Sequence, residues 1–162
     1  KMIEQDLRDD PYAQESFSKL LRRVIEEAER EFDSPLKQYL LFHDFQEQVE
    51  KRDLPDIPSE LSGNRHAQAY YGIFKKELPA AFENLEAIDQ NSWTVMCLSI
   101  ESIVEKAVSE NSISPQNIEA QIRKETLPIV FRRCKDVGAG MDQAKRIVEW
   151  LVQITRTGIA DL

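Results

Sequence analysis

Cysteine is nearly absent from this chain. Its 162 residues contain two, Cys97 and Cys134, far apart and without a CxxC partner. That excludes a disulfide framework and argues against a structural zinc site; two free, buried or half-buried thiols in a reducing compartment are expected. Histidine is equally scarce, with only His43 and His66. Long apolar runs are missing too: stretches such as Tyr39 to Phe42 fall far short of the ~20 residues needed to span a bilayer. The opening KMIEQDLRDD has no apolar signal segment. Strand-like alternation is absent, and no internal repeat shows. IVFRRC, after Pro128, is the one place where a short strand is conceivable.

What is present is helical periodicity. Asp10-Pro11 reads as an N-cap followed by proline in the first turn, with Phe17, Leu20, Leu21, Val24, Ile25 and Ala28 at helical spacing up to Phe32. Ser34-Pro35 repeats the signal and opens a second helix ending near Arg52. Asp53 to Asn64, with two prolines and a glycine, is the clearest loop. A shorter helix follows over RHAQAYYGIFKK, and Pro79 opens a brief one through Leu85. Asn91-Ser92 is expected to cap a long helix to about Glu110, whose broad apolar arc places it in the middle of the fold. Ser114-Pro115 starts another, which Pro128 should break or restart because proline lacks the amide and clashes with the preceding turn. Met141 to Thr157 is strongly amphipathic. The expectation is an all-α single domain of about six or seven helices around one core. It should cover residues 10–162, with residues 1–9 a flexible leader or a remnant ahead of it.

Charge is unevenly spread. The net value is −8, yet residues 1–111 hold 13 Lys and Arg against 23 Asp and Glu, whereas residues 112–162 hold 8 against 6. Within Arg123 to Lys135 five bases meet one acid, Glu125. Salt screens charges beyond about 10 Å, so such a patch can contact phosphate on an acidic protein. Arg123 has Glu119, Arg132 has Asp136, Lys145 faces Glu149, and Arg146 can pair with Asp142 or Glu149. Lys124, Arg133 and Lys135 lack a local acid and are the leading backbone-contact candidates, with Arg132, Lys145 and Arg146 beside them. An ordinary solvated surface is the alternative.

Other chemistry fails on spacing. Gly138 and Gly140 sit before Lys145, but no glycine precedes that lysine and Arg146, not Ser or Thr, follows it, so a phosphate loop is excluded. Gly138 suits a left-handed helix C-cap instead, and Gly140 frees the chain to turn. His43 and Glu47 share helical i,i+4 spacing, yet two ligands do not make a metal site. Tyr70 and Tyr71 point about 100° apart on a helix. They read as core, or, for Tyr71 with Arg65, Lys75 and Lys76, as a partner or DNA surface.

Taken together, KQYLLFHDFQEQVEKRDLPDIP, GNRHAQAYYGIFKK, ESIVEKAVSENSISPQNIEAQIRK and GMDQAKRIVEWLVQIT resemble the C-terminal region of the motor (R) subunit of type I restriction-modification enzymes, over most of the chain from Asp10. The resemblance implies a bacterial, cytoplasmic parent that hydrolyses ATP with magnesium, pulls double-stranded DNA past a methyltransferase core and cleaves it remotely. The parent's nuclease and ATP-binding motifs do not occur here. The implied role is a non-catalytic helical domain, without cofactor or metal of its own. Its partners would be the methyltransferase core, the rest of the motor subunit and duplex DNA, with no membrane. A purely protein-binding adaptor is the alternative.

Overall fold

The computed structural model describes residue 3 and residues 7–31, 33–111 and 114–160, the last three as backbone only. Six α-helices are described: α1 (Pro11–Arg30), α2 (Pro35–Lys51), α3 (Arg65–Glu77), α4 (Ala87–Glu110), α5 (Pro115–Asp136) and α6 (Met141–Ala160). Two 3-10 turns, Ser59–Leu61 and Pro79–Phe82, flank α3. No strand occurs among the described residues. The protein is all-α, as its periodicity indicates.

The proline signals mark three helix starts. Asp10 caps α1, its carboxylate accepting from the Ala13 amide at 3.0 Å. Ser34 and Ser114 precede Pro35 and Pro115 without a side-chain cap bond. The joint between α5 and α6 is a Schellman motif: the Ala139 amide donates to the Cys134 carbonyl at 2.7 Å and Gly138 to Lys135 at 3.1 Å. Gly138, at φ +80°, supplies the left-handed residue this requires. Gly140 then opens α6, its amide donating to Gln143 at 3.3 Å.

Four expectations along the chain are corrected. Residues 129–134, the conceivable strand, lie inside α5, and Pro128 neither breaks nor restarts that helix. Pro128 is exposed, so the Lys124 carbonyl it leaves without a helical donor faces the solvent side, where water can satisfy it. Helix α4 starts at Ala87 rather than at an Asn91-Ser92 cap, and the segment after Pro79 is a 3-10 turn.

Helix α3, not α4, occupies the middle. It packs against α1, α4, α6 and both 3-10 turns. Every residue from Ala67 to Phe74 is buried, as expected of a helix enclosed on all sides. Helices α3, α4, α5 and α6 contact one another in a closed ring, α3–α4–α5–α6–α3, around the main core. The α1–α2 hairpin forms a smaller core from Phe17, Val24, Phe45 and Val49 and docks through α1 onto α3. Ile3, Leu7 and Asp9 are buried there as well, so residues 7–9 belong to the fold rather than to a leader. Phe32 lies outside the described residues.

Two contacts hold the hairpin in place. A Cβ built on Gly72 would fall 2.5 Å from the Cβ of Tyr12, so only glycine lets α1 approach α3 this closely. On the hairpin's inner side, Arg52 takes a left-handed conformation (φ 52°) and reaches the buried Asp9 at 2.8 Å. Asp10, beside it, has its carboxyl pushed up to about 6 by burial, against the opposing pull of the Ala13 amide and Arg52.

Two stability effects follow. Gly72→Ala should destabilise the protein by about 1–3 kcal/mol in chemical unfolding, because the clash falls on the root of Tyr12 rather than on a movable side-chain tip. Asp10 holds its proton more tightly folded than unfolded, so its contribution favours the fold below about pH 4 and is lost as pH rises through 6. Asp10→Asn keeps a good cap and removes that loss. It should be more stable than the parent sequence at pH 7, by at most about 3 kcal/mol, with the gain vanishing near pH 4; melting temperatures across that range check it.

Candidate nucleic-acid interface

The basic residues of α5 and α6 divide into two groups. Arg123 makes a bidentate contact with Glu149 (2.8 and 2.9 Å) and a longer one with Glu119 at 3.5 Å. Arg156 grips Glu119 at 2.6 and 3.3 Å. These pairs staple α5 to α6 in antiparallel sense, and they take Glu149 away from Lys145, its expected neighbour. Hydrogen bonding to Arg123 holds the Glu149 carboxyl below its ordinary range. Arg146 turns the other way. It meets Glu77 of α3 at 3.3 Å, where Trp150 Nε1 also donates at 2.9 Å, and not Asp142 or Glu149.

Arg133, a leading phosphate candidate on sequence grounds, is half-buried between α4 and α5. Its guanidinium donates to Ser92 Oγ at 2.6 Å and lies 4.6 Å from the centre of the Trp93 ring. It has no local acid because its partners are a hydroxyl and an aromatic face on another helix. That role was not visible in the sequence; the one signal was Ser92-Trp93, which reads there as a helix cap.

The second group faces outward. Lys124, Arg132, Lys135 and Lys145 are exposed, and among the described residues none is held in an ion pair. Arg132 does not pair with Asp136. On a helix Lys124, Pro128, Phe131 and Lys135 share one face, with Arg132 beside it. Pro128, Phe131, Arg132, Lys135 and Asp136 line a shallow depression of about 310 Å³. Lys135 Nζ stands 5.6 Å from the Phe131 ring centre. Two of the six bases, Arg132 and Lys135, therefore come together beside an exposed proline and Asp136, and Lys124 lies one turn earlier on the same face. Lys145 lies outside that depression, and Arg133 and Arg146 serve the fold.

The second surface changes more. Tyr71 is only 1% exposed, packed edge-on against Phe82 at 5.4 Å, so it offers nothing to a partner. Tyr70 is buried as well, because α3 is enclosed on all sides. Lys75 pairs with Asp56 at 2.8 Å, above the Tyr12 ring, and Tyr12 also donates to Asp56. Lys76 pairs with Glu15 at 3.6 Å. Both lysines line a groove of about 610 Å³ between α1, α3 and the 53–64 loop, together with Lys19, Arg23, Glu15, Asp53 and Asp56. The acids there nearly balance the bases. Arg65 is exposed near Asp10, where its charge helps to lower that carboxyl's titration point.

The remaining chemistry is sparse. His43 is exposed, stacked on Tyr39 at 5.7 Å and 3.6 Å from Glu47. His66 lies beside Tyr70. Among the described residues no group of three or more His, Cys, Asp or Glu is placed to hold a metal, and no helix is long and apolar enough to cross a membrane. Cys97 and Cys134 are free and buried, and burial pushes both thiols up. No protein family, curated protein or solved structure matches the chain.

Arg133→Ala should cost about 2 kcal/mol of stability, by loss of a charge-assisted hydrogen bond and of the contact with the Trp93 face. Arg132→Ala should leave thermal unfolding unchanged. Denaturation curves of the two variants separate the structural base from the exposed one.

Proposed function

We propose that this chain is the non-catalytic helical domain of a type I restriction motor subunit, docking the motor onto the methyltransferase core and resting against the backbone of duplex DNA. The observation that carries the DNA part is the outer face of α5, where Lys124, Arg132 and Lys135 outnumber the one acid beside them, Asp136, and none of the three is held in an ion pair among the described residues. Exposed cations along the side of one helix suit sequence-independent phosphate contact. The acidic remainder of the surface would restrict DNA to this face. ATP hydrolysis and cleavage would belong to the rest of the bacterial parent, and this segment would need no cofactor.

A second reading, a protein-binding adaptor without DNA contact, is favoured by one feature. The outer face of α2 is apolar and exposed, and DNA binding gives it no purpose.

The two part on one titration. In fluorescence anisotropy with a mixed-sequence DNA duplex, Lys124→Ala/Arg132→Ala/Lys135→Ala should weaken binding equally for unrelated sequences. It should also flatten the dependence of log affinity on log salt by about 3, near one unit for each lost phosphate contact. Unchanged affinity and slope would remove the DNA reading and leave the adaptor.

A further inference from the structure

Helix α2 packs chiefly on α1, burying Phe45 and Val49 and half-burying Gln38 and Leu41. Its opposite face is apolar and uncovered. Leu36 is 69% exposed, Tyr39 63%, Leu40 47% and, at its margin, Phe42 41%, with His43 stacked on Tyr39. For side chains of this size those fractions leave roughly 400 Å² of mostly apolar surface. That is as large as the biggest patch on a typical monomer, about 300–600 Å², and roughly half of what one partner contributes to a standard interface.

The charges beside the stripe select its occupant. Asp44, Glu47 and Glu50 are exposed next to it, which opposes both DNA and an anionic membrane surface. Lys37, Asp44 and Lys51 fall on one flank at seven-residue intervals, so the sign alternates along the helix. When two copies of one helix pair antiparallel, that flank meets the same flank of its mate, running the other way. With the two-fold axis near Leu40, Leu40 meets Leu40 once, on the axis, while Tyr39 meets His43 and Lys37 meets Asp44 twice each. A parallel pairing would instead turn this flank toward the opposite flank of its mate, so Lys37 and Asp44 would not meet. Among the described residues Lys37 pairs with Glu31 at 3.4 Å and His43 lies 3.6 Å from Glu47, exposed pairs that exchange at little cost.

We infer that α2 is the interface of a symmetric dimer, in which the α2 helices of two copies pair antiparallel about an axis near Leu40. The apolar stripe supplies the attraction, and the Lys37–Asp44 alternation fixes direction and register. The inference stands apart from the DNA reading, since it uses a different helix and different side chains.

Sedimentation equilibrium of the 162-residue chain, from about 1 µM to 1 mM, tests it across the range where an interface of this size associates. A concentration-dependent dimer is expected. Leu40→Asp should make the protein monomeric throughout while leaving its circular dichroism melt unchanged, because the side chain lies outside the core. Lys37→Asp and Asp44→Lys should each weaken association about tenfold, and the double variant should recover it. A parent sequence that stays monomeric to 1 mM, a dimer insensitive to Leu40→Asp, or a double variant no tighter than the singles would each overturn the inference.

Discussion

The close approach of α1 to α3 at Gly72 is the constraint on which the architecture rests. Position 72 has no room for a methyl group, because the first side-chain atoms of Tyr12 already fill that space. The contact joins the closed ring of α3 to α6 to the hairpin of α1 and α2, which reaches that ring mainly through α1. With the backbones this close, Tyr12 extends along α3 to Asp56 and lies beneath Lys75. A glycine inside a helix costs about 1 kcal/mol relative to alanine. Here the cost is offset by apolar burial on every side of α3, which no bulkier residue at this position would permit.

Arginine and lysine do different work in this fold. Four arginines of α5 and α6 (Arg123, Arg133, Arg146 and Arg156) bind groups on neighbouring helices, two of them bidentate with carboxylates. A planar guanidinium suits such paired acceptors and aromatic faces, whereas an ammonium is more strongly hydrated and holds no fixed geometry. The lysines of the same helices stay in water. The arginines also occupy Glu77, Glu119 and Glu149. Lys124, Lys135 and Arg132 stand outside these pairs.

How legible this was depended on the range of the interaction. Helix starts at Pro11, Pro35 and Pro115, the Gly138 joint and the all-α class were readable, because each rests on local backbone chemistry. The failures were long-range. Pro128 should end a helix by its own chemistry, but Ile122 and Val130, on either side of it, are buried in one core and carry the helix through. The apolar arc of α4 is broader than that of α3 in sequence, yet Val95 and Leu98 reach solvent while Tyr70 and Tyr71 do not. Periodicity reports the width of an apolar face, and only the tertiary arrangement decides how many neighbours cover it. Arg133 was misread for the same reason: its partners lie 41 residues away.

The uneven charge of the sequence acquires a structural meaning from this arrangement. The acidic N-terminal part supplies the hairpin and the face of α2, whereas the near-neutral C-terminal part supplies α5 and α6. An exposed apolar stripe edged with carboxylates repels polyanions while remaining adhesive to another apolar helix. An exposed basic face on which a single carboxylate, Asp136, is outnumbered does the reverse. Two such faces on separate helices differ in the ligand each would suit, an apolar helix on one and a polyanion on the other. The two faces are carried by elements joined through the Gly72 contact. Loosening that contact should therefore disturb their relative position before it disturbs either face itself.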